Sequence, residues 1–202
     1  DHIEADDTIA YAAKQYFKDS NKVYIMSTDK DYLQLVDDKI NVWSPTKKKL
    51  YGCAEILLEY GISCENFLNY RVLSGDDSDN IDGIQGSGIK TVLKCFPQFA
   101  QHTEMTLEQI YSHCELNKKK YKLYNNILEN KPIVERNHAL MQLKDTQIQS
   151  FTQLRINEIL NKPLGILNRM RFSQLIAEDR MWTSIPNHHT WLSDTFGRLL
   201  LS

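Results

Sequence analysis

Residues 73–91 read Leu-Ser-Gly-Asp-Asp-Ser-Asp-Asn-Ile-Asp-Gly-Ile-Gln-Gly-Ser-Gly-Ile-Lys-Thr, and no other stretch constrains the chain as strongly. Its first half presents carboxylates suited to divalent metal ions. Its second half is a glycine turn ending in Lys90, suited to a phosphate backbone. The helical spacing of Phe67, Leu68, Val72 and Leu73 predicts a helix that delivers the chain to Gly75. Ile89 to Phe96 reads as the helix that leaves the turn, halted by Pro97.

The stretch is not an EF-hand. Counting from Asp77, the fifth position is Ile81, the sixth is Asp82 instead of Gly, and the twelfth is Gly88 instead of Glu. The glycines are spaced Gly-x-x-Gly-x-Gly and no strand is expected before them, which excludes a dinucleotide-binding fingerprint. A helix-hairpin-helix type of turn fits better, gripping a backbone without reading bases.

Upstream lie two further acidic clusters. Glu4, Asp6 and Asp7 precede apolar residues at helical spacing, Ile9, Ala10, Ala13, Tyr16 and Phe17. Ionised carboxylates are favoured at a helix N-terminus, so taken alone this cluster reads first as a helix start, with a ligand set as the competing reading. The strand-forming run Val-Tyr-Ile-Met-Ser at residues 23–27 is followed at once by Asp29 and Asp31. Helix then strand suggests an α/β unit whose site lies beyond the carboxyl ends of its strands. That location would aim both aspartates into one crevice; an acidic loop capping the next turn is the competing reading. Residues 40–43 read as another strand, Lys47 to Lys49 as an exposed tip, and residues 54–60 as a helix ended by Gly61.

Charge is divided along the chain. Residues 1–82 carry 9 Lys and Arg against 16 Asp and Glu, a net −7, while residues 83–202 carry 15 against 10, a net +5. An acidic half beside a basic half suits a metal-dependent enzyme acting on a polyanion, although an uneven solvated surface gives the same totals. After residue 107 the pattern is mostly helical. Lys118, Lys119, Lys120 and Lys122, with Tyr121 and Tyr124, form either a second phosphate contact or an ordinary solvated face. Cys53, Cys64, Cys95 and Cys114 include no Cys-x-x-Cys pair and no zinc-type spacing, so all four are expected to be reduced thiols of an intracellular protein. No apolar run approaches the roughly 18 residues of a membrane helix, and no secretory signal is read. No Ser/His/Asp or Cys/His constellation is evident.

The three motifs in order, Glu-Ala-Asp-Asp, Ser-Thr-Asp-Lys-Asp and Gly-Asp-Asp-Ser-Asp-Asn-Ile-x-Gly-Ile-x-Gly-x-Gly-x-Lys-Thr, resemble the 5′ nuclease family. That family comprises the 5′→3′ exonuclease domain of bacterial DNA polymerase I, phage 5′ exonucleases and flap endonucleases. The resemblance covers about residues 3–97. It implies an α/β fold: a partial parallel-sheet nuclease core of PIN/resolvase-like type over residues 1–80, then a helical helix-three-turn-helix region over 81–202. It implies that Glu4, Asp6, Asp7, Asp29, Asp31, Asp76 and Asp79 are catalytic metal ligands, with Glu4 and Asp6 mainly at one ion and Asp29, Asp31, Asp76 and Asp79 mainly at the other. Asp77 stands where the family varies. The implied cofactors are two Mg²⁺, with Mn²⁺ as a substitute, and K⁺ in the turn. The implied DNA contacts are Gly83, Gln85, Gly86, Ser87, Gly88, Lys90 and Thr91. The implied partners are flapped, nicked or branched DNA, or an RNA–DNA hybrid, in the cytoplasm of a bacterial or phage-infected cell, with no membrane.

Family members carry a further segment ahead of the Glu-Ala-x-Asp motif. It holds a central strand, more metal-binding aspartates and a basic arch. The expectation is therefore the C-terminal portion of a longer nuclease, or one half of a split enzyme. Its sheet should leave an apolar edge uncovered.

Overall fold

A computed structural model describes residues 3–163, 165, 167–181, 183–185 and 187–197 of the 202-residue chain. The chain forms two compact units, Asp1–Asn157 and Glu158–Ser202.

In the first unit, α1 (Ala5–Tyr11) starts at Glu4 in an extended conformation and carries Asp6 and Asp7 in its first turn. It continues as a wider π-type turn over Ala12–Tyr16. β1 (Val23–Met26) pairs in parallel with β2 (Ile40–Ser44), and β2 pairs antiparallel with β3 (Lys49–Tyr51). The sheet order is β1-β2-β3. β2 alternates buried and half-buried side chains along its length, as a strand with one covered face should. β1 is an edge strand, and its Tyr24 and Met26 are 62% and 74% exposed. β3 makes the sheet mixed, because the short Pro45–Lys48 turn allows only antiparallel return.

α2 (Cys53–Tyr60) ends at Gly61, whose φ of 68° supplies the left-handed cap that a side chain would resist. α3 (Phe67–Ser74) is the axis of this unit, with Phe67, Leu68, Asn69, Arg71, Val72 and Leu73 all buried. Phe67 belongs to the core against the sheet, with Val42, Ile56 and Leu35. Leu68, Val72 and Leu73 belong to a second, helical core with Phe96, Phe99, Ile110 and Ile127. A helix covered on every side must partner its polar groups. Asn69 accordingly donates to Asn66 and to the Met105 carbonyl, and Arg71 to two carboxylates.

A small hairpin follows, β4 (Gly75–Asp76) against β5 (Ile81–Asp82). A strand thus does precede Gly83, contrary to the expectation. Two residues are too few for alternation to register in a sequence. α4 (Ile89–Cys95) leaves the turn, and α5 (Leu107–Asn117), α6 (Lys122–Glu129) and α7 (Lys131–Met141) complete the helical core. α8 (Ser150–Leu160) runs to the second unit. There α9 (Arg169–Glu178) and α10 (His188–Phe196) bury Ile176 and Leu192, and Phe172 stacks on Trp191 at 5.9 Å.

The cysteine expectation is corrected. Cys53 and Cys64 form a disulfide, with Cα atoms 5.3 Å apart, while Cys95 and Cys114 are buried free thiols. Cys53 opens α2 and Cys64 opens the 3-10 turn that precedes α3, so the α2 excursion brings both back to one place. No close sequence spacing announces such a pair.

Candidate metal centre

The three acidic clusters meet. Glu4, Asp6, Asp7, Asp29, Asp31 and Asp79 line one cleft of about 710 Å³. Its opposite wall is the end of α7 and the segment after it, including Leu140 and Gln142. Asp76 lines an adjoining hollow of about 310 Å³ with Asp29 and Asp79. Ligand atoms of Asp31, Asp76 and Asp79 all lie within 4.8 Å of one another.

Local structure aims each carboxylate. The loop after β1 is tied by the Asp29 amide donating to Ser27 Oγ at 3.1 Å and the Asp31 amide donating to Asp29 Oδ1 at 2.8 Å. The Tyr32 hydroxyl donates to Asp6 Oδ1 at 2.5 Å, joining the α1 cluster to the post-β1 loop. Burial and this bond to an anion push the Tyr32 hydroxyl well above its ordinary range. Asp76 Oδ1 accepts from the Ser78 amide at 2.9 Å and from Ser78 Oγ at 2.6 Å. Arg71 Nε donates to Asp31 Oδ1 at 2.8 Å, and Arg71 Nη2 donates to Asp76 Oδ2.

Arg71 does not affect its two partners alike. At Asp31, burial pushes the carboxyl upward and outweighs the pull of the guanidinium. At Asp76, burial is overcome by the Ser78 hydrogen bonds together with Arg71, and the carboxyl sits below its ordinary range. The donors are oxygen-only and convergent, with no His or Cys among them. Such a set fits a hard dication better than zinc or copper.

On the other side of the hairpin, Gly83 is occupied in packing. A Cβ there would stand 2.1 Å from the Ser74 carbonyl oxygen, so Gly83 permits a backbone crossing. Ser87 is buried, and its hydroxyl donates to the Ile84 carbonyl at 2.6 Å. Gln85, Gly86, Gly88, Lys90 and Thr91 are exposed or face open space. The Gln85 carbonyl accepts from Asn126 on α6 at 2.7 Å, and Lys94 on α4 lies 5.0 Å from the Tyr121 ring. The turn therefore adjoins the middle of α6, and the end of α4 adjoins Tyr121 just before it.

The family described as "5'-3' exonuclease, N-terminal resolvase-like domain" matches residues 1–61. A 5'-3' exonuclease of Buchnera aphidicola subsp. Schizaphis graminum is 32% identical over 192 residues, 95% of this chain and 60% of that relative. Among solved structures, a T5 5'-exonuclease mutant superposes with a TM-score of 0.66 at 25% identity, over 78% of this chain and 65% of that one.

Over these stretches the chain is similar to the 5′ nuclease family.

The chain is also similar to the thermostable DNA polymerase I of Thermus aquaticus, at 38% identity over 96 residues. That match covers 48% of this chain and 11% of the polymerase. The chain spans 60% of the length of the Buchnera relative. No helix among its described residues is long and apolar enough to cross a membrane.

Three side chains at the acidic centre were not singled out from sequence: Arg71, Tyr32 and Ser78. Arg71 did leave a signal. It is the one cation in the otherwise uncharged run Phe-Leu-Asn-Tyr-Arg-Val-Leu, and a buried guanidinium demands an acid. Tyr32 and Ser78 left none, because their partners are set by tertiary placement or by a turn.

Proposed function

We propose that this chain carries the metal-binding carboxylates and the duplex-gripping region of a divalent-metal-dependent 5′→3′ exonuclease or flap endonuclease. It would hydrolyse phosphodiesters in flapped, nicked or branched DNA, or RNA in RNA–DNA hybrids, during replication or repair in a bacterial or phage-infected cytoplasm. The observation that carries the reading is the convergence of carboxylates from three separated sequence clusters beside an exposed glycine turn.

Glu4, Asp6, Asp7, Asp29, Asp31, Asp76 and Asp79 would hold two Mg²⁺, for which Mn²⁺ could substitute, in keeping with oxygen-only donors. When bound, such ions supply activation of water and stabilisation of the leaving oxygen. The chain's own residues orient and bind. Tyr32 fixes Asp6, Ser78 fixes one oxygen of Asp76, and the Asp31 amide fixes one oxygen of Asp29. Lys90, with the exposed backbone of Gly86 and Gly88, would hold duplex phosphates without sequence preference, and a K⁺ in the turn belongs to the same reading. Residues 1–80 then serve the metals and residues 81–202 the duplex. A T5 protein co-crystallised with metal ions, 27% identical with a TM-score of 0.61 over 70% of this chain and 52% of that one, supports the metal assignment.

One observation favours a narrower role for the chain by itself. The edge of β1 is open and its Tyr24 and Met26 face outward. We take this edge as the place where a further nuclease segment docks, within one polypeptide or as a separate one. The chain alone would then bind DNA and cleave poorly. The test is cleavage of a 5′-labelled flap duplex in Mg²⁺ by the 202-residue chain, alone and with a homologous N-terminal segment added in trans. Cleavage upon complementation, abolished by Asp29→Asn with Asp31→Asn while binding persists, is expected. Binding that never leads to cleavage would instead establish a noncatalytic DNA-binding module.

A further inference from the structure

Arg71 is the cation at the middle of the acidic centre. It sits on α3, is 8% exposed, and reaches one carboxylate with each of two nitrogens. Asp31 and Asp76 are themselves only 13% and 15% exposed at the side chain, so neither is neutralised by bulk solvent. Carboxylates this close repel unless a positive charge lies between them. We propose that Arg71 is a positioning residue that stands in for a divalent ion, holding Asp31 and Asp76 together in the metal-free protein and giving up Asp76 when a dication enters. The proposal rests on the reading of these carboxylates as metal ligands.

The hydrogen-bond inventory of Asp76 carries the argument. Its Oδ1 accepts two hydrogen bonds from Ser78, which occupy both lone pairs of that oxygen. A metal must therefore approach through Oδ2, and Oδ2 is where Arg71 Nη2 is seated. Guanidinium and dication compete for one oxygen. The arginine has somewhere to go: Nε keeps Asp31 at 2.8 Å, and Nη1 already lies 3.5 Å from the Gly75 carbonyl oxygen. A guanidinium presents its donors in a fixed fork, so loss of one acceptor does not release the other. Arg71 thus lowers metal affinity in exchange for a preformed site. Removal has two opposing effects, loss of competition for Oδ2, which tightens metal binding, and loss of the tie between Asp31 and Asp76, which weakens it. Ser78 still holds Asp76 and the loop bonds at Asp29 and Asp31 remain, so the first prevails, whereas for a merely structural arginine the second would.

The test is Mn²⁺ binding to the 202-residue chain by electron paramagnetic resonance at fixed ionic strength, comparing wild type, Arg71→Met and Asp79→Asn. Arg71→Met removes a like charge beside the dication and is expected to bind Mn²⁺ on the order of tenfold tighter. Equal or weaker binding by the folded variant overturns the proposal. Asp79 does not touch Arg71 through any hydrogen bond, and Asp79→Asn is expected to weaken Mn²⁺ binding. If Asp79→Asn binds as wild type does, the metal-ligand reading itself fails, and the proposal falls with it. If only the Arg71→Met expectation fails, that reading survives. Wild-type protein gives a readout that needs no folded variant: the guanidinium resonances of Arg71 should shift as Mg²⁺ is added to saturation. Unchanged resonances would overturn the displacement.

Discussion

Replacing Gly83 by alanine tests whether the glycine turn is built for a ligand or for the fold. The new Cβ would lie 2.1 Å from the Ser74 carbonyl oxygen, 2.3 Å from its carbon and 2.9 Å from the Gly75 nitrogen. All three are backbone atoms at the end of α3, so no rotamer change relieves the clash. Gly75 cannot yield either. Its φ of 73° and ψ of −175° lie in a region held almost only by glycine, and a Cβ there would meet the Gly83 nitrogen at 2.4 Å. The hairpin must part from α3, straining or breaking the bond from the Ile84 amide to the Leu73 carbonyl, now 2.8 Å. Overpacking costs about 1–3 kcal/mol and a lost hydrogen bond about 1 more, so Gly83→Ala should destabilise by about 3 kcal/mol. That is a large part of the roughly 5–15 kcal/mol that holds a domain together. Gly88→Ala is the control: its φ is −56° and no atom lies within 4 Å of its Cβ position. It should change stability by less than about 0.5 kcal/mol. Urea unfolding followed by circular dichroism, with unchanged m-values, measures both. Because Asp76 and Asp79 ride on the hairpin, Gly83→Ala should also weaken Mn²⁺ binding. A Gly83→Ala midpoint corresponding to less than about 1 kcal/mol of destabilisation would refute the packing argument, since that lies below the usual cost of overpacking.

Lys90→Ala should weaken binding to a flap duplex uniformly across sequences and reduce the salt slope of log K by about one, as measured by fluorescence anisotropy from low to high salt; an unchanged slope would remove Lys90 from the interface. Tyr32→Phe leaves Asp6 without its hydroxyl donor and should cost about 1–2 kcal/mol in urea unfolding, while an effect near zero would mean the bond contributes nothing net. Glu59 accepts from Lys47, Lys49 and Tyr51; burial raises its carboxyl, but those bonds prevail and hold it at about 2 against an ordinary 4.5. A depressed carboxyl stabilises the fold above its unfolded value, and that contribution is lost as pH falls from about 4.5 towards 2. The pair partners are partly exposed, so the effect is discounted to about 1 kcal/mol. The melting temperature of wild type should fall towards that of Glu59→Gln over this window; parallel curves would contradict it.

The sequence exposes those parts of the site that depend on residue type and order. Carboxylates at a helix start, after a strand and before a glycine turn were legible at Asp6, Asp29 and Asp76 because each sits at the end of an element with a strong pattern. α3 was legible for the same reason, through Phe67, Leu68, Val72 and Leu73. What escaped depends on where distant backbone meets. The disulfide joins Cys53 to Cys64 only because α2 doubles the chain back. Tyr32 looks like one more apolar residue until Asp6, 26 positions away, is placed against its hydroxyl.

The glycines show most clearly why the two kinds of information differ. Sequence reports that a side chain is missing, and both close approach of a phosphate and close approach of the protein's own backbone call for that. At Gly86 and Gly88 the space is open, as a ligand site requires; at Gly83 it is filled by Ser74. Arg71 makes the complementary case. A lone cation in a helix buried on both faces is improbable unless an acid meets it, and the third acidic motif begins only five residues later at Asp76. The motif and the helix before it are therefore one device. The buried arginine that seems out of place on α3 is paired with Asp31 and Asp76, two of the three carboxylates whose oxygens lie within 4.8 Å of one another.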